Sequence, residues 1–288
     1  MAKIELQNVS YIYGESTPFE KKAIDNLSLS FEAGKINAVI GHTGSGKSTL
    51  VQMLNGLLKP TSGRILLDGE DIWADKKKMQ NLCFKVGLCF QYPEYQLFEE
   101  TVYRDIAFGP TNMKCSEQEI KKRVLDAAHF CGIDDELLDK SPFEISGGQM
   151  RRVAIAGVMA MTPEVLILDE PAAGLDPTGR SSIFGGICEY RRKTGATVII
   201  VSHSMEDIAR YCEHVAVLYK SKLFALGTCE EIFSRGAELE EIGLSLPQIT
   251  RVVRKMRELG APVPENIFTV GDAYRALLPY IKAGVGDV

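Results

Sequence analysis

Several features that would restrict the chemistry of a protein are missing from this sequence of 288 residues. Its seven cysteines are odd in number and widely scattered, without a C-x-x-C pair, so they indicate neither a disulfide framework nor a zinc or redox site. No apolar stretch approaches the roughly 18 residues of a membrane span, and the first residues carry no signal-peptide pattern. We therefore expect reduced thiols in the cytosol and a chain that does not itself cross a membrane.

A global basic charge is also missing. The net charge is -5 and the isoelectric point is about 5.6, whereas proteins that bind nucleic acid without sequence preference usually carry a basic field. We therefore expect no nucleic-acid partner. The length suits one large α/β domain, or one of about 230 residues with a small appendage.

Short apolar strands alternate with helical stretches, and no repeat interrupts them. This order predicts an α/β fold with a mixed, largely parallel core sheet. Residues 1–31 differ, because their apolar residues alternate with polar ones and so predict a small antiparallel β layer. Residues 98–160 read as a helical insert, and the strand signals stop after about Arg235.

A phosphate-loop pattern, G-x-x-x-x-G-K-[ST], follows the strand-like residues 36–40. Glycines allow consecutive N–H groups to surround phosphates, and the next helix offers its positive N-terminal end. In this pattern the lysine adds a point charge and the serine a hydroxyl for Mg²⁺. The predicted nucleotide loop consists of Gly41, His42, Thr43, Gly44, Ser45, Gly46, Lys47, Ser48 and Thr49.

Two adjacent carboxylates, Asp169 and Glu170, end the apolar strand of residues 165–168. We expect Asp169 to lie beside the phosphate loop and to hold Mg²⁺ through its water shell. Glu170, pointing the other way, is a candidate to polarise an attacking water.

A second candidate anion site is the run Ser146, Gly147, Gly148 and Gln149, which opens a helix. The N-terminus of a helix attracts negative charge. Taken alone, the run is equally compatible with an ordinary helix N-cap.

Together these motifs resemble the ATP-binding subunits of ABC transporters, and the resemblance covers roughly residues 3–235. It implies that Gly41 to Thr49 are the Walker A loop, Asp169 the Walker B aspartate and Glu170 the catalytic base. In that family the signature, here Ser146 to Gln149, completes the ATP site of the opposing subunit. The cofactors implied are ATP and Mg²⁺.

Four further positions resemble functional residues of the same family. Tyr13 resembles the aromatic residue that stacks on adenine, although Tyr11 lies on the same strand face and either could stack or be core. Gln91 resembles the glutamine that touches Mg²⁺ and senses the membrane partner, Asp176 lies in the D-loop, and His203 resembles the switch histidine. Ser204 departs from the family, which commonly has aspartate there, and this departure predicts weaker local hydrogen bonding.

Three segments look like the ATPases of energy-coupling factor transporters, including the cobalt-import type: Pro18 to Glu20 in the early hairpin, residues 91–98 and residues 146–157. This resemblance implies a peripheral subunit on the cytoplasmic face of a bacterial membrane. Its partners would be a second ATPase, an integral membrane scaffold and a substrate-capturing membrane subunit, and its cargo a vitamin or a transition-metal ion. A heterodimer is favoured, and a homodimer stays possible.

Two regions are predicted to contact partners. The aromatic-rich run of residues 92–98 is a candidate groove for a helix of the scaffold, although Leu97 and Phe98 equally suit core packing. Residues 236–288 read as a helical extension whose apolar stripe, from Ile249 to Leu259, either packs on its own domain or contacts the second ATPase.

Two alternatives stay open at this point. An iron–sulfur cluster assembly ATPase and the ATPase of another importer class share these motifs. The long coiled-coil insertion of DNA-repair relatives and the doubled domain of translation relatives are missing from the sequence.

Overall fold

The computed structural model describes residues 2–75 and 79–284. Within them lie ten strands in two sheets, with the orders β2-β1-β4-β5 and β10-β9-β3-β8-β7-β6. The strands are β1 (Ala2–Tyr13), β2 (Lys21–Glu32), β3 (Ile36–Ile40), β4 (Ser62–Leu67), β5 (Glu70–Asp71), β6 (Val86–Cys89), β7 (Val165–Asp169), β8 (Thr197–Val201), β9 (His214–Tyr219) and β10 (Lys222–Thr228).

The four-stranded sheet is the predicted antiparallel layer. Ile4 pairs with Phe31 and Leu6 with Leu29 across β1 and β2, and all four side chains are buried. Their alternation with polar residues gives the sheet one apolar face and one solvated face. The predicted layer is confirmed.

The six-stranded sheet is mixed, as predicted. Strands β9, β3, β8, β7 and β6 pair in parallel, and β10 adds an antiparallel edge. Every residue of β3, β7 and β8 is buried, which explains why these strands are continuous apolar runs. Because β8 lies between β3 and β7, the loops after their carboxyl ends meet at one edge of the sheet.

Helices cover the core sheet and form the insert. Their bounds are α1 (Lys47–Leu54), α2 (Leu82–Lys85), α3 (Val102–Asn112), α4 (Glu117–Cys131), α5 (Asp135–Leu138), α6 (Gly147–Ala160), α7 (Pro177–Thr194), α8 (Met205–Tyr211), α9 (Cys229–Ser234), α10 (Gly236–Glu241), α11 (Gln248–Glu258) and α12 (Val270–Gly284). Helices α3 to α6 fall in the predicted insert. None of the helices in the described ranges is long and apolar enough to cross a bilayer.

The C-terminal region packs in two parts. Leu239, Leu244 and Leu246 join the main core, whereas Val253 and residues of the following segment form a small core of their own. The predicted apolar stripe divides accordingly. Its members Ile249, Val253 and Met256 pack inward, and Val252 and Leu259 are exposed.

Candidate nucleotide site

The phosphate loop connects β3 to α1 and is held by glycines. Gly46, the residue before α1, has φ of +104°, and a Cβ there would lie 2.5 Å from the Ala23 carbonyl oxygen. A Cβ on Gly41 would lie 2.3 Å from the Leu218 carbonyl oxygen. Only glycine satisfies both requirements, so the backbone itself forms the cradle.

Lys47 lies inside this loop. Its Nζ donates to the carbonyl oxygens of Gly41 at 2.6 Å and His42 at 3.0 Å, and the residue is 7% exposed. Burial lowers the pKa of the Lys47 ammonium, and the facing Asp169 and Glu170 partly offset that shift. The loop therefore surrounds a buried cation whose present partners are neutral carbonyls.

A cleft of about 280 Å³ opens beside Lys47. It brings together residues that the sequence separates by up to 190 positions, because the loops after β3, β6, β7 and β8 converge at one edge of the core sheet and the ends of β1 and β2 lie beside them. Its lining includes the predicted Tyr13, Thr43, Gly44, Gly46, Lys47, Ser48, Thr49, Gln91, Asp169, Glu170 and His203. Gly41, His42 and Ser45 do not line this cleft: Ser45 is fully buried, and the His42 ring packs edge-on against Tyr219.

Asp169 and Glu170 both face the cleft. The expected divergence of their side chains is not observed, because Glu170 leaves the strand with a left-handed φ of +53°. Burial, followed by the charge of Glu170, raises the pKa of Asp169 to about 6. Burial also raises the pKa of Glu170, whose Oε1 is buried without a hydrogen-bond partner in the described part of the chain.

His203 follows β8 and lies next to Glu170. Its Nε2 is 3.8 Å from Glu170 Oε1, and burial, then the nearby Lys47, lowers the pKa of the imidazole. The next residue, Ser204, caps α8 by accepting from the Asp207 N–H. Asp207 in turn pairs with Arg180 at 3.3 Å. Although Ser204 replaces the aspartate common in the family, a carboxylate is therefore present one helical turn later, at Asp207.

Tyr13, rather than Tyr11, reaches the cleft. Tyr13 ends β1, is 40% exposed, and its hydroxyl is 3.2 Å from Thr49 Oγ1. Tyr11 packs against the core and meets the Tyr13 ring edge-on at 4.8 Å. Lys21, opposite Tyr13 in the β1–β2 register, also lines the cleft. Lys21 was not predicted from the sequence, although its place at the end of the hairpin loop was a usable signal.

A second cleft lies at the start of α6, and different residues line it. Ser146 and Gln149 form a capping box, in which Ser146 Oγ accepts from the Gln149 N–H and Gln149 Oε1 accepts from the Ser146 N–H. Asp176 caps α7 by accepting from the Gly179 N–H at 2.7 Å. Gly148 and Gly174 complete this polar surface.

Comparison with known proteins fits this arrangement. The family model described as ABC transporter matches residues 24–173. An energy-coupling factor transporter ATP-binding protein EcfA2 of Clostridium tetani is 53% identical over 276 residues, which is 96% of each chain. The chain belongs to the ABC transporter family. It is an ATPase of the energy-coupling factor type.

Other similarities extend over almost the whole ATPase. The protein of the same name from Bacillus cereus is 47% identical over 285 residues, which cover 98% of this chain and 97% of that protein. The solved structure of cbiO1 from Clostridium perfringens, described as part of the ABC transporter complex cbiONQ, superposes with a TM-score of 0.75. It is 38% identical, and the match covers 89% of this chain and 99% of cbiO1.

A dimeric ATP-binding cassette bound to ADP and phosphate, in a post-hydrolysis state, superposes with a TM-score of 0.70. It is 25% identical and covers 78% of this ATPase and 98% of its own chain. The prediction of an ATP-binding protein with this fold is therefore confirmed.

Proposed function

We propose that this ATPase powers an energy-coupling factor importer, and that it couples ATP hydrolysis to uptake of a vitamin or a transition-metal ion such as cobalt. The single observation that carries the proposal is the pair of clefts on one chain. One holds a buried lysine and two carboxylates, and the other offers an uncharged helix N-terminus. Neither cleft contains all the groups that ATP hydrolysis requires.

In the first cleft the chain binds the nucleotide. The nucleotide phosphates replace the Gly41 and His42 carbonyls as the partners of the Lys47 ammonium. Tyr13 packs on the nucleotide base. Ser48, Gln91 and Asp169 line the cleft with oxygen atoms, which are the ligands that Mg²⁺ prefers. We propose that these three hold Mg²⁺, which when bound neutralises phosphate charge.

Glu170 is the proposed general base. Glu170 lines the cleft, and its Oε1 has no hydrogen-bond partner in the described residues, so the carboxylate keeps an acceptor for a proton from an attacking water. His203, 3.8 Å away, is placed to orient the same water or the phosphate. Removal of a positioned base typically lowers a rate about 10²–10⁴-fold.

A second ATPase subunit supplies the missing contacts. We propose that Ser146 to Gln149 and Asp176 face the nucleotide of the opposing subunit, where backbone N–H groups at the start of α6 meet the terminal phosphate. A distinct partner chain is favoured over a second copy by the energy-coupling factor resemblance. The extension 236–288 is the proposed contact that holds the pair together between ATP cycles.

The membrane scaffold is proposed to dock beside the segment 92–98. An open groove of about 470 Å³ lies there, lined by Leu97, Phe98 and Phe108 among others. Phe98 is 59% exposed and meets Phe108 edge-on at 4.9 Å, and Tyr95 is 85% exposed. Leu97 lines the groove but is partly packed against the core, so we propose that Tyr95 and Phe98 make the main contacts with the scaffold.

The test is co-purification of the full chain from its bacterial host, with mass spectrometry of the recovered proteins. We expect a second ATPase and integral membrane proteins in the membrane fraction, which would place the complex at the cytoplasmic face. Recovery of iron–sulfur assembly proteins without a membrane scaffold would overturn the transporter proposal.

A further inference from the structure

A buried arginine joins three elements of this ATPase that the proposed mechanism leaves separate. Arg151 lies on α6, two residues after the signature, and is 4% exposed. Its Nε and Nη2 donate to the two carboxylate oxygens of Glu94 at 3.1 and 3.0 Å. Its Nη1 donates to the carbonyl oxygen of Ala173. The guanidinium therefore has a partner on each side.

The two acceptors of Arg151, Glu94 and Ala173, lie in segments with different proposed roles. Glu94 lies in the short helix Pro93–Gln96, between the exposed Tyr92 and Tyr95 of the proposed scaffold surface. Ala173 lies in the turn after β7, and its N–H donates to the carbonyl oxygen of Glu170 at 3.2 Å. Asp176 follows three residues later. One side chain thus connects the scaffold surface to the turn that carries Glu170.

The contact is stiff for physical reasons. A bidentate arginine–carboxylate pair fixes orientation as well as distance, and Glu94 is itself only 18% exposed at its side chain. Lysine cannot reproduce three directed contacts, because its ammonium is a compact charge on a flexible stem. A displacement of the short helix must therefore move Arg151 or break the pair.

We propose that Arg151 is a positioning residue that transmits movement of the scaffold-facing segment to the turn between Glu170 and Asp176. The proposal rests on the proposed function, since it assigns the 92–98 segment to the scaffold. Glu94 receives the movement, and the Ala173 carbonyl is the point at which it reaches the catalytic turn.

The test uses the full chain purified with its second ATPase, with and without the membrane scaffold. The scaffold response is the ratio of ATP turnover in the complete complex to turnover of the ATPase pair alone. Glu94→Gln keeps the shape but removes the charge from the pair. We expect its response to fall towards one, while turnover of the pair alone stays within about twofold of wild type.

Arg151→Lys should act differently, because it loses the Ala173 contact as well. We expect kcat of the pair alone to fall about tenfold, the order of one lost charged hydrogen bond, with KM for ATP unchanged. Arg123→Lys is the matched control. Arg123 donates to Glu119 at 2.7 Å and to the Met161 carbonyl at 3.1 Å, but it touches neither the segment nor the turn.

Several outcomes overturn the proposal. The first two are a wild-type complex without a scaffold response and an unchanged scaffold response in Glu94→Gln. The other two are a change in KM as large as the change in kcat in Arg151→Lys, and a loss of kcat in Arg123→Lys equal to that in Arg151→Lys. Tyr95→Ala separates this from the docking proposal. If Tyr95→Ala keeps the full response, the scaffold contact at the 92–98 segment is refuted, while Arg151→Lys still decides the link to the turn.

Discussion

The two polar clefts of this ATPase are built on opposite principles. The first is charged, and its key groups are buried: Lys47 is 7% and Asp169 8% exposed. In the second, the first turn of α6 carries no charged side chain, and Ser146 is exposed and already engaged with Gln149. A buried charge has few competing water molecules and binds phosphate on its own. A capped helix N-terminus adds only a weak attraction, so it contributes when a partner presents the phosphate.

The largest expected effect lies at the base of the first cleft. Glu170→Gln should lower ATP turnover of the assembled complex about 10²–10⁴-fold, because the amide cannot accept a proton from water. Nucleotide affinity should be retained, since the shape and the polar contacts of the side chain are kept. Steady-state turnover and nucleotide titration measure the two effects.

Glu164→Gln is the control for this prediction. Glu164 immediately precedes the same strand and pairs with Lys3 at 2.6 Å, away from the cleft. Wild-type turnover in Glu170→Gln would refute the assignment of the base.

The next pair of variants separates the roles of the two clefts. Lys47→Ala should weaken nucleotide binding by the single chain about ten- to hundredfold, the value of a charged hydrogen bond. Ser146→Arg should leave that affinity unchanged and abolish ATP-driven dimerisation, because the exposed position tolerates the side chain but the partner surface does not. Equal losses of affinity in both variants would contradict the division of roles.

Three glycines allow the backbone constraints of the two clefts to be compared: Gly44 and Gly46 in the first cleft and Gly147 at the second. Gly46→Ala combines a left-handed φ with a Cβ 2.5 Å from a carbonyl, whereas Gly44, with φ of +80°, has open space around its Cβ among the described residues. Gly147 begins α6, and its Cβ position is open in the same sense. We expect destabilisation by about 2–4 kcal/mol for Gly46→Ala from clash and strain together.

The two matched substitutions should cost less. Gly44→Ala should cost about 1–2 kcal/mol from strain alone, and Gly147→Ala should change stability by less than about 0.5 kcal/mol. Denaturant unfolding of the three proteins tests this order. A Gly147→Ala variant as unstable as Gly46→Ala would show that the second cleft is as tightly constrained as the first.

The first cleft was predictable from the sequence because most of its parts are local. Gly41 to Thr49 are consecutive, and Asp169 with Glu170 ends a fully apolar strand, so one strand–loop–helix rule and one sheet rule place them together. The backbone turn that brings Glu170 into the cleft was not predictable, since left-handed φ at a glutamate has no signature in sequence.

The contact of Arg151 with Glu94 and Ala173 was unpredictable for a different reason. It joins residues 22 and 57 positions apart across three elements, so it depends on how the insert packs on the core. The C-terminal stripe lies between these cases. Helical spacing predicted the inward positions of Ile249, Val253 and Met256 correctly, but it was wrong for Val252 and Leu259, which are exposed because the small core is filled by Val253, Val263 and Ile267.

Among the expected effects on binding and assembly, the smallest concerns this exposed surface. If the second ATPase is to stay near the second cleft while ATP is absent, the two chains require a weak contact that does not depend on nucleotide. Val252 and Leu259 are 52% and 79% exposed, and single exposed apolar residues at an interface rim contribute little each. The double substitution Val252→Glu and Leu259→Glu should therefore lower recovery of the second ATPase in the absence of ATP by about threefold to tenfold.

Leu57→Glu is the matched control for that surface, since Leu57 is 56% exposed outside the C-terminal region. Nucleotide binding by the first cleft should be unchanged in all these variants, because the substituted side chains are exposed and do not line the nucleotide cleft. The readout is the ratio of the two ATPases after affinity purification without nucleotide. Full recovery with the double substitution would show that the contact between ATP cycles is made elsewhere on the chain.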